Sequence, residues 1–299
     1  MGQQDHRQAP AVAAIRALGG SAGVEPEPAV LGARVHWPEL PAQIAAGHAG
    51  HLLRPLLAQH QVLLLPDQRI APLALQDLAE QFGDILEHGA YPSLPEAPRL
   101  QILESTPEQP SKIEQWHTDM TFSATPPPVT VLHAQILPPV GGDTLWLSTS
   151  AAFEALSPDL QAFLRTLTAE HDFRFGFRES LAEPGGAQRL AASIAANPPV
   201  QHPVVLEHPE TGRAALYVNP LFTTRIASLA PAESDALLSF LYGHMQAERF
   251  VLRLRWTPDM LVIWDNRSTQ HRPETDYLGH HRRHLRATLG RLAPRETSV

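Results

Sequence analysis

The clearest periodicity lies in the C-terminal third of the chain. In FVLRLRW, Phe250, Leu252, Leu254 and Trp256 alternate with Val251, Arg253 and Arg255, the period of a strand with one buried face. A turn at TPD, residues 257–259, leads into MLVIW, a short apolar run that predicts a buried strand. RRHLRATLG alternates again, with Arg282, His284, Arg286 and Thr288 on one face and Arg283, Leu285, Ala287 and Leu289 on the other. The period changes upstream. GHLLRPLLAQH sets Leu52, Leu53, Leu56 and Leu57 on one helical face, and VLLLP follows as a buried strand. PLALQDLAEQFG predicts a helix closed by Gly83. Ser157 and Pro158 predict a helix start, with the serine as cap. PAESDALLSFLYGHM predicts another helix, and PVVLEHPETGRAALYV reads as strand, turn and strand with Gly212 in the turn. Residues 84–112 read as a loop around the strand RLQIL.

Short strands with a few covering helices predict a mainly β fold with helical additions, a jelly-roll (double-stranded β-helix, cupin-like) core. Twenty-nine prolines suit its many loops and edges. Residues 29–299 are expected to form one domain, preceded by a flexible segment, 1–28, rich in Ala, Gly, Pro and Gln. The net charge of −8, without a block of like charges, argues against a nucleic-acid partner. No cysteine is present, which removes disulfides, thiolate metal sites and a cysteine nucleophile. No apolar run reaches membrane-spanning length, and the N-terminus lacks the basic start of a signal peptide. A cytoplasmic enzyme is the expectation.

The stretch EQWHTDMTF carries His117 and Asp119 two positions apart. Alone this means little. About two His-x-acid pairs are expected by chance from 16 histidines and 31 acidic residues, and the chain has two. The other, His208 with Glu210, sits in the HPETG turn and reads as surface. On a strand, residues two apart point to the same side, so His117 and Asp119 could offer a nitrogen and an oxygen to one ion. His271, expected in a polar loop after MLVIW, is the best candidate for a third ligand. Two histidines and a carboxylate suit non-haem Fe(II) with open positions, and also catalytic zinc. Arg282 and Arg286 would lie about 13 Å apart along one strand face. They suit two separate anions, or else a solvated edge strand.

Taken together, WHTDMTF, GGDTLW, LYVNPLFTTRI, WDNRSTQH and HRRHLRATL resemble the taurine dioxygenase family of Fe(II)- and 2-oxoglutarate-dependent dioxygenases, in order and spacing across residues 60–292. The resemblance implies iron ligands, and hence catalytic residues, at His117, Asp119 and His271. It implies that Thr144 and Arg282 hold the distal carboxylate of 2-oxoglutarate. Arg286 would sit near the iron and meet the substrate's anionic group. His88 and Tyr91, in EHGAYP, would line the substrate pocket, with Phe177 and Phe222 as aromatic walls and the Met120 backbone N–H as a further anion donor. Where the family's taurine enzymes carry an asparagine for the substrate amine, this chain has Ile113, flanked by Glu114 and Gln115. A buried ammonium without a partner is costly.

The implied reaction hydroxylates the carbon next to a sulfonate at the expense of O2 and 2-oxoglutarate. Taurine is the leading substrate, giving sulfite, an aldehyde, succinate and CO2. An alkylsulfatase-type or other organosulfonate dioxygenase is the alternative, slightly favoured by Ile113, and a phenoxyalkanoate-type enzyme is disfavoured by His88 and Tyr91. A zinc hydrolase would have no use for Thr144 and Arg282, and the full ligand set argues against a non-catalytic binding protein. A homodimer or homotetramer is implied, and residues 84–115 are the candidate lid.

Overall fold

A computed structural model describes residues 21–86 and 91–293. Its large sheet runs, from edge to edge, through Gly23–Pro26, Ala33–His36, Val62–Leu65, Leu261–Asp265, Val129–Ile136, Arg282–Leu292, Ala97–Ser105 and Ser93–Leu94. Gly83–Ile85 also pairs with Arg282–Leu292. A small sheet places Thr144–Ser148 between Val251–Leu254 and Thr269–Pro273. The jelly-roll expectation is met.

The continuous apolar runs follow from layering. Leu63, Leu65, Leu261 and Ile263 pack on helices Leu40–Ala45, Ala49–His60 and Pro72–Phe82. Their neighbours Val62, Leu64, Val262 and Trp264 point the other way, toward Trp146, Leu252 and Leu254 of the small sheet. A strand covered on both faces has no polar side to alternate with. The opposite face of the small sheet sends Leu145 and Leu147 onto Leu238, Leu241 and Met245 of helix Pro231–Met245. Leu52, Leu53, Leu56 and Leu57 are all buried, as their helical spacing predicts. Gly83 ends its helix where a Cβ would lie 1.8 Å from the Arg291 carbonyl oxygen, so only glycine lets the two segments pass. Ser157 occupies the predicted cap position without a side-chain hydrogen bond; Pro158 starts the helix instead.

Strand Arg282–Leu292 lies between Val129–Ile136 and Ala97–Ser105. It is central, so the edge-strand reading of its basic face is wrong. Leu285, Ala287 and Leu289 face the helices, whereas Arg282, His284, Arg286 and Thr288 are buried on the other face. Two buried guanidiniums inside a fold call for anions there.

Of the segment expected to be flexible, residues 1–20 lie outside the described residues, and Gly23–Pro26 pairs as a strand with Ala33–His36. Among the described residues, no helix is long and apolar enough to cross a membrane.

Burial holds two imidazoles neutral, His60 down to about 4 and His171, aided by neighbouring His202, down to about 3. Both folded-state values lie below the unfolded value, so the unfolded chain gains these protons first. Stability is therefore full above about pH 6.5 and falls as pH drops toward 4, each group contributing about 1.4 kcal/mol per pH unit. Urea unfolding at pH 7, 6 and 5 should show the unfolding free energy falling ever more steeply, these two rings adding a slope that approaches two protons per molecule below pH 6. An unchanged unfolding free energy would refute the neutral burial of these rings.

Candidate metal and cosubstrate site

His117, Asp119 and His271 meet between the sheets, with one donor atom from each within 4.8 Å of the others. The way they meet differs from the same-face strand arrangement expected for His117 and Asp119. His117 forms an isolated antiparallel bridge with His271: its N–H donates to the His271 carbonyl at 3.0 Å, and the reverse bond is 2.8 Å. The chain then leaves the bridge in a turn that begins at Asp119, with Met120 at φ +50. His271 is not in a loop either. It belongs to strand Thr269–Pro273, opposite Trp146.

The donor atoms are presented rather than merely near. Asp119 Oδ1 lies 3.9 Å from Nε2 of both His117 and His271. Two donors each about 2.1 Å from one ion stand at most about 4.2 Å apart, so each Asp119–histidine pair is within reach of a single small divalent metal. His117 Nδ1 donates to the Gln115 carbonyl at 2.9 Å, which leaves the Nε2 lone pair facing inward. Burial keeps His117 below its ordinary value, opposed by Asp119 and the Gln115 carbonyl. Burial and His117 bring His271 to about 3. Burial opposes ionisation of Asp119, but His271, Arg286, His117 and the Thr130 hydrogen bond outweigh it and hold the carboxyl at about 2. With both rings neutral, the charge that faces Asp119 is the Arg286 guanidinium, 4.0 Å away. Two neutral imidazoles and one carboxylate are the protonation states a divalent cation needs.

Arg282 and Thr144 come together as the resemblance implies. Arg282 Nη2 lies 3.5 Å from Thr144 Oγ1, which also accepts from Trp256 Nε1 at 2.9 Å. The Thr144 hydroxyl proton is thereby left to point at a ligand. The guanidinium packs beside the rings of Trp256 and Tyr277, and its Nε is buried without a hydrogen-bond partner. Among the described residues no carboxylate lies within ion-pair distance of it. A buried, unmatched cation beside a hydroxyl fits the distal carboxylate of 2-oxoglutarate.

His117, His271, Thr144, Arg282 and Arg286 line a cavity of about 540 Å³ that also takes in Tyr91, Ile113, Phe177 and Phe222. Arg286 stacks on Tyr91, with its Cζ 4.7 Å from the ring centroid, and its Nε donates to Gln101 at 2.8 Å. His117 and Phe222 meet edge to face. Met120 packs with the Phe122 cluster and is not among the cavity-lining residues. His88 lies outside the described residues. Gln115, a possible amine partner, is better served elsewhere: the amide orientation that satisfies it has the nitrogen donating to the Pro220 carbonyl and the oxygen accepting from Arg178. A second concavity, about 580 Å³ and open to solvent, is lined by Arg54, Glu210 and Arg267, whose charges pair with one another.

Several contributors escaped sequence reasoning. Thr130 donates to Asp119 Oδ2 at 2.7 Å, and Gln101 orients Arg286. The only signal for either is a polar residue interrupting an apolar strand, VTVL and RLQIL. His208 and Glu210 are not surface residues. His208 donates to Asp265 at 2.9 Å, and Glu210 joins Arg54 to Arg267.

Comparison with known proteins agrees with this geometry. A family model described as taurine catabolism dioxygenase TauD, TfdA family, matches residues 23–289. The chain is 33% identical over 238 residues to an alkylsulfatase of Acinetobacter baylyi, covering 78% of this chain and 74% of that one. It is 33% identical to an alpha-ketoglutarate-dependent sulfonate dioxygenase of Saccharomyces cerevisiae, covering 74% of this chain and 56% of the yeast protein. A crystal structure of a taurine dioxygenase from Burkholderia xenovorans superposes with a TM-score of 0.73 at 30% identity, over 91% of this chain and 93% of that one. The fold, the converging His-Asp-His set and these relatives place the chain in the TauD, TfdA family of Fe(II)- and 2-oxoglutarate-dependent dioxygenases.

Proposed function

We propose that this enzyme hydroxylates the carbon bearing the sulfur–oxygen anion of an alkyl sulfonate or alkyl sulfate ester whose chain is apolar. His117, Asp119 and His271 hold the iron, and Thr144 and Arg282 hold the distal carboxylate of 2-oxoglutarate. Bound together, iron and 2-oxoglutarate supply the oxidising chemistry that converts O2 and 2-oxoglutarate to succinate and CO2 as a substrate C–H becomes C–OH. The remaining work belongs to the chain's own side chains. Arg286, pinned at Nε by Gln101 and backed by Tyr91, turns its terminal amino groups toward the substrate anion. Phe177, Phe222, Ile113 and Leu132 exclude water and seat the carbon chain. The hydroxylated carbon then releases sulfite from a sulfonate, or sulfate from an ester, and becomes an aldehyde.

The observation that carries the choice of substrate is Ile113 on the cavity wall. Glu104, Glu114 and Glu179, the carboxylates that line the cavity, are all exposed to solvent. Gln115 finds partners at both ends in Pro220 and Arg178 once its amide is oriented to suit them. An ammonium next to Ile113 would be desolvated without compensation. Taurine is therefore the second reading, supported by the Burkholderia relative.

The test is turnover of hexyl sulfate, hexanesulfonate and taurine with Fe(II) and 2-oxoglutarate, reading sulfate, sulfite and succinate. The alkyl compounds should exceed taurine at least tenfold in kcat/KM. Equal or better use of taurine would move the assignment to the second reading, and no succinate linked to any of them would sink both. Ile113→Asn should raise kcat/KM for taurine about tenfold, the value of one hydrogen bond to a charged group. It should lower that for hexyl sulfate; an unchanged ratio would mean that position 113 does not meet the chain.

A further inference from the structure

Three buried side chains make a directional series of hydrogen bonds that ends on Asp119. Trp264 Nε1 donates to Asn266 Oδ1 at 2.9 Å. Asn266 Nδ2 donates to Thr130 Oγ1 at 2.9 Å. The Thr130 hydroxyl donates to Asp119 Oδ2 at 2.7 Å. The direction is forced. An indole N–H can only donate, so the Asn266 amide oxygen must face Trp264 and its nitrogen must face Thr130. Thr130 receives a proton from the amide and must aim its own at the carboxylate. All three side chains are buried to within 2% of full exclusion, so water cannot replace a missing link. The backbone holds the series in register: the Asn266 N–H donates to the Pro128 carbonyl at 2.8 Å, at the start of strand Val129–Ile136 that carries Thr130.

The two oxygens of Asp119 are thereby made unequal. Oδ2 is spent on Thr130, while Oδ1 stands 3.9 Å from each histidine nitrogen. We infer that Trp264, Asn266 and Thr130 are positioning residues that reserve Oδ1 of Asp119 for the metal and keep Oδ2 out of its coordination. One-oxygen ligation leaves an additional coordination position, which a metal that must accept a bidentate cosubstrate and O2 requires. Trp264 serves the site twice, since its ring also lies 4.8 Å from that of His271. This inference rests on the reading of the triad as the iron site.

The experiment titrates metal-free protein with Co(II), followed by its visible absorption, alongside thermal melting of each variant. Thr130→Val should weaken Co(II) binding 10- to 100-fold, the usual cost of losing a hydrogen bond to a ligand. Thr130→Ser keeps the hydroxyl and should bind within threefold of wild type. Asn266→Asp is nearly isosteric but only accepts, so Thr130 turns its proton away from Asp119; affinity should again fall at least tenfold. If Thr130→Val does not fold, Asn266→Asp decides alone. Wild-type Co(II) affinity in a folded Thr130→Val or Asn266→Asp protein would overturn the inference and leave the iron site standing. A serine variant as weak as the valine one would also overturn it, by assigning the effect to the methyl group. Co(II) binding by wild type that survives in His271→Ala would overturn the reading of the triad, and this inference with it.

Discussion

Asp119→Asn is expected to lower kcat/KM by at least about a thousandfold and to abolish tight Fe(II) binding, while the protein still folds. The substitution changes no volume. It removes the one negative charge among the three ligands, and what takes its place is worse than neutral. Thr130 donates toward position 119, so the amide of an asparagine there would turn its oxygen to Thr130. Its NH2 group would then occupy the Oδ1 place, 3.9 Å from both imidazole nitrogens, presenting hydrogens where a metal needs a lone pair. Arg286, 4.0 Å from Oδ1, would also lose the counter-charge it faces. Losing an oriented anionic ligand costs several kcal/mol, and about 4 kcal/mol corresponds to a thousandfold. Isothermal titration with Fe(II) under anaerobic conditions, beside a succinate assay, measures both effects. Metal affinity within tenfold of wild type would refute the role given to Asp119.

The parts of this arrangement that could be read in advance are the local ones. Leu52, Leu53, Leu56 and Leu57 fall on one helical face because a helix repeats on itself within four residues, and the alternation of Leu285, Ala287 and Leu289 with Arg286 and Thr288 needs only a strand's period. Whether that strand is central or at an edge depends on pairing with residues more than 140 positions away, and periodicity carries no such information. His271 was misplaced for a related reason. Thr269 and Gln270 look like loop residues, yet both are buried because Thr269 donates to the Asp265 carbonyl and Gln270 to that of Val218. Polarity in a strand is satisfied here by specific partners rather than by water.

The segment WDNR teaches the same lesson at higher resolution. Its alternate residues serve different sites: Trp264 and Asn266 point toward Asp119, whereas Asp265 and Arg267 join His208, Glu210 and Arg54 in a buried ion-pair network. Burial opposes ionisation of Asp265, and Arg267 with His208 overrides it and brings the carboxyl to about 2. His208 and Glu210 looked like turn residues on a surface because their partners lie 57 and 156 positions away. The candidate ligand triad became legible only through the five motifs taken together, since the His-x-Asp spacing alone stands at chance. Its bridge-and-turn geometry, with Met120 at positive φ, was invisible to any strand period.

Arg282 gives the second large effect, and it has two signs. Arg282→Met should raise the KM for 2-oxoglutarate at least a hundredfold and should also stabilise the protein when no 2-oxoglutarate is present. The guanidinium is buried, its Nε has no hydrogen-bond partner, and burial pulls its pKa below the ordinary value, opposed by Tyr277. No carboxylate among the described residues offsets it, so the folded protein carries a desolvated charge. Such a charge is maintained at the expense of stability until an anion arrives, and removing one side of a buried charge pair costs about 3–5 kcal/mol. Methionine fills a similar volume against Trp256 and Tyr277 without that penalty. The variant's melting temperature should therefore rise by a few degrees in buffer, and the further rise that 2-oxoglutarate gives the wild-type protein should disappear. Arg282→Lys should fall between the two, because it keeps the charge but not the planar fork that meets a carboxylate at two points. Melting of the three proteins with and without 2-oxoglutarate separates the possibilities. If Arg282→Met melted lower than wild type in buffer and still responded to 2-oxoglutarate, Arg282 would be a structural residue, and the anion it awaits would have to be sought elsewhere.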